Sequence, residues 1–157
     1  MSFNDLSSSR FTSSVADRVS GPRILTRKRP IIYMTGGSGT AVTGYTSATD
    51  MVDALVDVGF RVYMPSVPNL FGNATGLARI DDALTFAVAD GCDDVAPIII
   101  GSSAGASNAL RYAQDNEVAG LVGLLPPIDL AYIYANDVFS LQATLGTAFS
   151  IATDGSG

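Results

Sequence analysis

Pro97-Ile98-Ile99-Ile100-Gly101-Ser102-Ser103-Ala104-Gly105 is the stretch on which the reading of this 157-residue chain turns. Its first half is a compact apolar run, rich in the β-branched side chains that suit a strand, and Gly101 closes it. Past the glycines, Ala106, Ala109, Leu110 and Ala113 recur on one face at helical spacing. Strand, glycine turn, helix is therefore the local order. Residues 101–105 also match Gly-x-Ser-x-Gly with Ser103 at the centre. The match alone is weak, with a chance probability on the order of 10% in a chain of this composition. The strand–turn–helix setting sharpens it. A serine on such a turn projects its oxygen at a helix N-terminus, where the dipole favours developing negative charge.

The same rhythm extends outward. Ile31-Ile32-Tyr33-Met34 is a first strand, closed by Thr35-Gly36-Gly37-Ser38-Gly39. Met51, Ala54, Leu55 and Val58 mark a helix, with Ser47 and Asp50 spaced as a capping box and Gly59 as its C′ residue. Arg61–Met64 is a second strand, stopped by Pro65. Leu77, Ile80, Leu84, Ala87 and Val88 mark a helix ending near Gly91. Val118–Leu125 is a further strand, halted by Pro126-Pro127. Strands alternating with helices predict an α/β fold, a parallel sheet with helices on both faces. The strands are apolar throughout, as expected where both faces are buried.

Residues 1–29 differ from the rest. They are rich in Ser and Thr and hold six of the nine basic residues with two acidic ones, a net +4. The remaining 128 residues carry three basic and thirteen acidic side chains, a net −10. Residues 1–29 are expected to form an extended arm that orders against something else, and 30–157 the domain. An acidic body argues against nucleic acid as a partner. The arm offers a site for a protein partner, and equally reads as a solvated flank. Neither a secretion signal nor a membrane span is expected: no apolar run follows the start, and Val138–Ala152 is short and polar-interrupted. The protein is expected to be soluble, in the cytoplasm or in a virion.

In an open parallel sheet, ligands bind beyond the carboxyl ends of the strands. Two loops fall there, Thr35–Gly39 and Gly101–Gly105. The N–H groups of Gly37 and Ala104 are candidates for an oxyanion hole beside Ser103, with Gly36, Ser38, Gly101 and Gly105 as supporting positions. The first loop also admits a phosphate-binding reading. No Walker lysine follows it, however, and Val42 stands where a dinucleotide fingerprint wants a small residue.

These residues carry a resemblance. From about Arg29 to Asp129 the chain resembles the first part of an α/β-hydrolase, the serine esterase and lipase fold. Thr35–Gly39 stands where that family has its His-Gly oxyanion loop, with Thr in place of His. Ile99–Gly105 is similar to the nucleophile strand and elbow, and Leu121–Pro126 to the strand that follows. The Ala-rich helix and Pro127-Ile128-Asp129-Leu130 resemble hydrolases carried by bacteriophages of actinobacteria. The resemblance implies a hydrolase of ester-like bonds, in small or polymeric substrates, with no metal or organic cofactor.

The departure from that pattern is specific. The family's chain order is nucleophile, acid, histidine, and this chain holds no histidine. Asp129 stands where some lipases place the acid, and equally where it would cap a helix over 131–135. Lys28 is the one lysine available as a substitute base. A serine without a base is a poor nucleophile, so the isolated chain is expected to be nearly inert. Three explanations remain open: part of a longer hydrolase, completion by another polypeptide, or a hydrolase-derived scaffold in an assembly such as a virion or phage tail, anchored through residues 1–29.

Smaller features have plainer readings. Asn73-Ala74-Thr75 is a glycosylation sequon only in a secreted protein. Cys92 has no partner for a disulfide and reads as a small buried or loop residue. Asp81-Asp82 and Asp93-Asp94 read as solvated charge, and Val138–Ala152 as a lid or a packed helix.

Overall fold

A computed structural model describes residues 4–8, 17–21, 27–37, 41–67, 71–124, 126, 129–136 and 142–149. In chain order the elements are β1 (Asn4–Ser8), β2 (Asp17–Gly21), β3 (Ile31–Met34), α1 (Ala41–Asp57), β4 (Val62–Met64), α2 (Ala74–Ala89), β5 (Ile98–Ser102), α3 (Ala104–Asp115), β6 (Gly120–Leu124), α4 (Leu130–Ala135) and α5 (Gln142–Phe149). The strands form one sheet in the order β1-β2-β4-β3-β5-β6. β3 runs parallel to β4 on one side and β5 on the other, and β6 continues the parallel ladder beyond β5. From β3 the chain first moves to one neighbour and then crosses back to the other. The strand order therefore reverses between β3 and β5, and the loops leaving those two strands flank the crevice that results.

Side chains alternate between two cores, as the pleat requires. On one face Ile32, Met34, Tyr63 and Ile99 pack with Ile80, Ala83 and Ala87 of α2 and with Ala109 and Tyr112 of α3. On the other, Ile31, Tyr33, Val62, Met64 and Ile100 meet Val52 and Val56 of α1. No helix among the described residues is long and apolar enough to cross a membrane.

The fold departs from the sequence reading in three places. Residues 1–29 do not form only an arm: β1 and β2 pair antiparallel, and β2 pairs antiparallel with β4, so the sheet is mixed. Val19 is fully buried in the core with Ile32 and Tyr63. A single core residue in a polar strand leaves no periodicity to detect. Helix α1 starts at Ala41, earlier than Ser47, but its dihedrals break at Ala48 (φ −130°, ψ 21°). The capping signal at Ser47 thus marks the kink rather than the start. Gly59 (φ 97°) and Gly91 (φ 99°) do follow α1 and α2 in the left-handed conformation their positions require.

The third departure is β6. Its apolar sequence predicts burial on both faces, yet Leu121, Val122 and Leu124 are 37%, 43% and 41% exposed. Their neighbours across the ladder, Ile99 and Ile100, are 0% and 5% exposed. Helix α3 covers one face of β6, with Ala106 beneath Gly123, whereas the α1 core stops at Ile100.

A buried polar cluster closes the amino-terminal rim of the sheet. Arg61 Nη1 donates to Asp90 Oδ2 at 2.6 Å and to the Asp90 carbonyl at 3.0 Å. Tyr63 donates to Asp90 Oδ2 at 3.2 Å and lies 3.3 Å from Cys92 Sγ. The cluster ties the start of β4 to the end of α2.

Candidate active site

Ser103 leaves β5 with φ 49° and ψ −121° and immediately precedes α3. A non-glycine residue at positive φ is strained, and the neighbouring glycines explain how the strain is held. A Cβ at Gly101 would lie 2.6 Å from Ala106 Cα, and one at Gly105 would lie 2.6 Å from the Thr35 carbonyl oxygen. Only glycine at both positions lets β5, the end of β3 and the first turn of α3 pack this closely. The Ser103 N–H donates to the Leu124 carbonyl at 2.8 Å, and the Ser103 carbonyl accepts from Ala106 N at 2.8 Å. With its backbone fixed on both sides, the residue is exposed, and its side chain makes no capping bond to α3.

The loop after β3 comes up against this turn. A Cβ at Gly36 would meet Ser103 Cβ at 2.5 Å and Ser103 Oγ at 3.3 Å, so the glycine is what allows the approach. Gly37 follows in the left-handed region (φ 57°) and faces open space. Ser38 lies outside the described residues. Ala104 is buried as the first residue of α3, where a backbone N–H has no intrahelical partner and the helix dipole adds positive potential. The structure thus brings together Ser103, Gly36, Ala104, Gly101 and Gly105, with Gly37 following Gly36 in the loop.

Two further residues hold this arrangement and were missed in the sequence. Asn108 is fully buried. Its Oδ1 accepts from Gly72 N at 2.8 Å and its Nδ2 donates to the Ala104 carbonyl at 3.0 Å. It clamps the Phe71–Gly72 turn onto the start of α3. Phe71, also strained at φ 47°, packs with Ala104, Ile133 of α4 and Leu145 of α5. The signal for Asn108 was its place as a polar residue one helical turn after Ala104. Nothing local announced Phe71. Helices α4 and α5 therefore pack over the elbow, and Asn73 ties α5 down by donating to the Ala148 carbonyl at 2.7 Å. A groove of about 590 Å³ runs beside α3 between Ser107, Leu110, Leu121 and Phe149, without reaching Ser103.

The remaining candidates have structural partners. Asp129 caps α4 by accepting from Tyr132 N at 2.8 Å, and Asn73 Oδ1 caps α2 through Gly76 N at 2.9 Å. Asp82 pairs with Arg79 and Asp81 accepts from Tyr112. Cys92 is buried, and burial pushes its thiol above the ordinary range, which disfavours a nucleophilic thiolate. Lys28 precedes β3 and lies 3.9 Å from Asp93, on the rim opposite Ser103. It cannot serve as the base for that serine.

No family model matches the chain, and no curated protein is similar to it. Solved structures are similar in fold. The fluorophosphonate-binding serine hydrolase F of Staphylococcus aureus superposes with a TM-score of 0.64 at 14% identity, over 85% of this chain and 59% of its own. A proline iminopeptidase-related protein from Thermus thermophilus gives 0.58 at 18% identity, over 97% of this chain and 57% of its own. A monoglyceride lipase from Saccharomyces cerevisiae gives 0.54 at 17% identity, over 88% and 50%. The chain has the α/β-hydrolase fold and spans a little over half the length of these structures.

Proposed function

We propose that the chain is the nucleophile-bearing part of a serine hydrolase of ester-like bonds, with Ser103 as nucleophile and the N–H groups of Gly37 and Ala104 as the oxyanion hole. The observation that carries this reading is the strained, exposed Ser103 held between β5 and α3 with Gly36 against it. In the reaction the Ser103 oxygen bonds to the ester carbonyl carbon while its proton passes to a base. The carbonyl oxygen takes up negative charge against the two N–H groups, the alcohol leaves, and water then releases the acid. The sequence has no histidine, and among the described residues Lys28 lies on the far rim and Asp129 is a helix cap. On this reading the base is supplied by another polypeptide or a further part of the protein.

An alkyl fluorophosphonate tests the assignment. Slow, stoichiometric labelling that maps to Ser103 and is absent in Ser103→Ala is the expected result. Labelling that persists in Ser103→Ala contradicts it. The other reading, an assembly component anchored through residues 1–29, has less to rest on. Residues 4–8 and 17–21 are already paired within the sheet. It requires that deleting residues 1–29 abolish incorporation while the domain stays folded.

A further inference from the structure

Residues 71–73 bind four helices together. Phe71 is buried against Ala104 at the head of α3, Ile133 of α4 and Leu145 of α5. The Gly72 N–H donates to Oδ1 of the fully buried Asn108 at 2.8 Å, one turn along α3. Asn73 caps α2 through Oδ1, which accepts from Gly76 N at 2.9 Å, and its Nδ2 donates to the Ala148 carbonyl of α5 at 2.7 Å.

Phenylalanine is a residue that this turn disfavours. Phe71 and Gly72 are both left-handed, at φ 47° and 84°. Glycine or asparagine would hold the first of these conformations with little strain, whereas a bulky side chain there is an outlier. A strained residue persists where its surroundings over-determine it. Here Asn108 holds the turn, and a Cβ at Gly72 would lie 3.0 Å from the Ser107 carbonyl oxygen, so the backbone rests directly on α3. The ring, not the backbone, accounts for phenylalanine at this position.

That ring bears on Ala104. Phe71 meets the Ala104 side chain, and Asn108 Nδ2 donates to the Ala104 carbonyl at 3.0 Å. The amide of Asn108 fits in one orientation only, because one end meets an N–H and the other a carbonyl. Together the two contacts fix the frame from which the Ala104 N–H points beside Ser103. The same ring rests on α5, which Asn73 ties down two residues later. Displacing α5 therefore frees Phe71, and through it Ala104.

We infer that Phe71 is a positioning residue that makes the alignment of the Ala104 N–H depend on α5 being seated, with Asn73 as the tie that seats it. The mechanical link stands on these contacts, and its effect on the reaction rests on the hydrolase reading above.

Paired probes separate alignment from stability. In fluorophosphonate labelling the Ser103 oxygen bonds to phosphorus, fluoride leaves and the proton passes to added imidazole, while the phosphoryl oxygen faces the Gly37 and Ala104 N–H groups. The thiophosphoryl analogue puts sulfur, a weak acceptor, in that place. Rates at fixed imidazole, followed by mass and corrected for the reactivity of each probe toward imidazole alone, should favour oxygen by about tenfold or more. Phe71→Leu and Asn73→Ser should each cut that preference by about threefold or more. Serine retains the α2 cap, and its shorter side chain gives up the bond to Ala148. The double variant should lose little beyond the larger single loss, as for two residues in one chain of contacts. Val52→Ala, in the α1 core, should lower the urea midpoint and leave the preference intact. Asn73→Ser should also speed amide exchange in residues 142–149 and in residues 104–108 together. It removes no buried apolar group, so it decides the question if Phe71→Leu does not fold.

A preference unchanged in the folded variants, or lost equally in Val52→Ala, overturns the inference and leaves the hydrolase reading standing. Faster exchange in residues 142–149 with none in 104–108 overturns it as well. Absence of labelling at Ser103, or no preference for oxygen in the wild type, overturns the hydrolase reading, and exchange then decides the link between α5 and Ala104.

Discussion

β5 and β6 lie side by side, parallel and in register from Ile98 with Gly120 to Ser102 with Leu124. Both are short apolar runs stopped by a turn, and both end at Ser103: β5 leads into it, and β6 accepts its N–H. Ile99 and Ile100 are nevertheless buried, while Leu121 and Val122, directly across the ladder, are exposed. The difference does not lie in the strands. Among the described residues it lies in what covers them: α1 and α2 pack into the cores that β3, β4 and β5 share, and α3 packs on β6. Apolar sequence alone predicts a strand covered on both faces, and among the described residues β6 is covered less fully than β5.

Four substitutions and one change of pH sharpen that contrast. The largest effect belongs to the covered side. Arg61→Ala removes the guanidinium from beside Asp90, whose side chain is 16% exposed, and should cost about 3 kcal/mol or more, read from the midpoint of urea unfolding. Ile99→Ala empties a fully buried site on β5 and should cost about 3 kcal/mol in the same assay. Both losses would be small if the described core were not the folded core.

Alkaline titration probes the same side. Tyr112 donates to Asp81, and burial together with that carboxylate pushes its phenol up to about 12. Burial raises Tyr63 further still, helped by Cys92 beside it. The unfolded chain then ionises first, near pH 10, while the folded phenols stay neutral. The contribution of these two phenols to stability should be level below pH about 10 and fall between about 10 and 12. Tyr112→Phe should shallow that fall, and an unchanged profile would remove Tyr112 from the account. The smallest effect belongs to β6: Val122→Ala should change stability by less than about 0.5 kcal/mol. A cost comparable to Ile99→Ala would mean that β6 is covered after all.

Much of the fold was legible because its signals are local. The apolar runs at 31–34 and 98–100, the proline and glycine stops, and the helical spacing of Met51 to Val58 each depend on neighbours within one element. The glycines around Ser103 were legible for the same reason, since the turn that needs them also spells the motif. What escaped depends on distant partners. β2 contributes one core residue, Val19, from a polar strand, and takes its conformation from β4. Arg61 and Asp90 meet across 29 positions, and Asn108 reaches Gly72 across 36. The exposure of β6 was not legible either, because the cover of a strand is supplied by elements distant in sequence.

The central claim is that Ser103 sits in a formed nucleophile site and needs a base. Free imidazole supplies the missing group directly. Fluorophosphonate labelling of the 157-residue chain, followed by mass at increasing imidazole, should accelerate at least tenfold, with the gain lost in Ser103→Ala and when the imidazolium form predominates below pH about 6. A labelling rate at Ser103 that does not respond to imidazole would contradict the account.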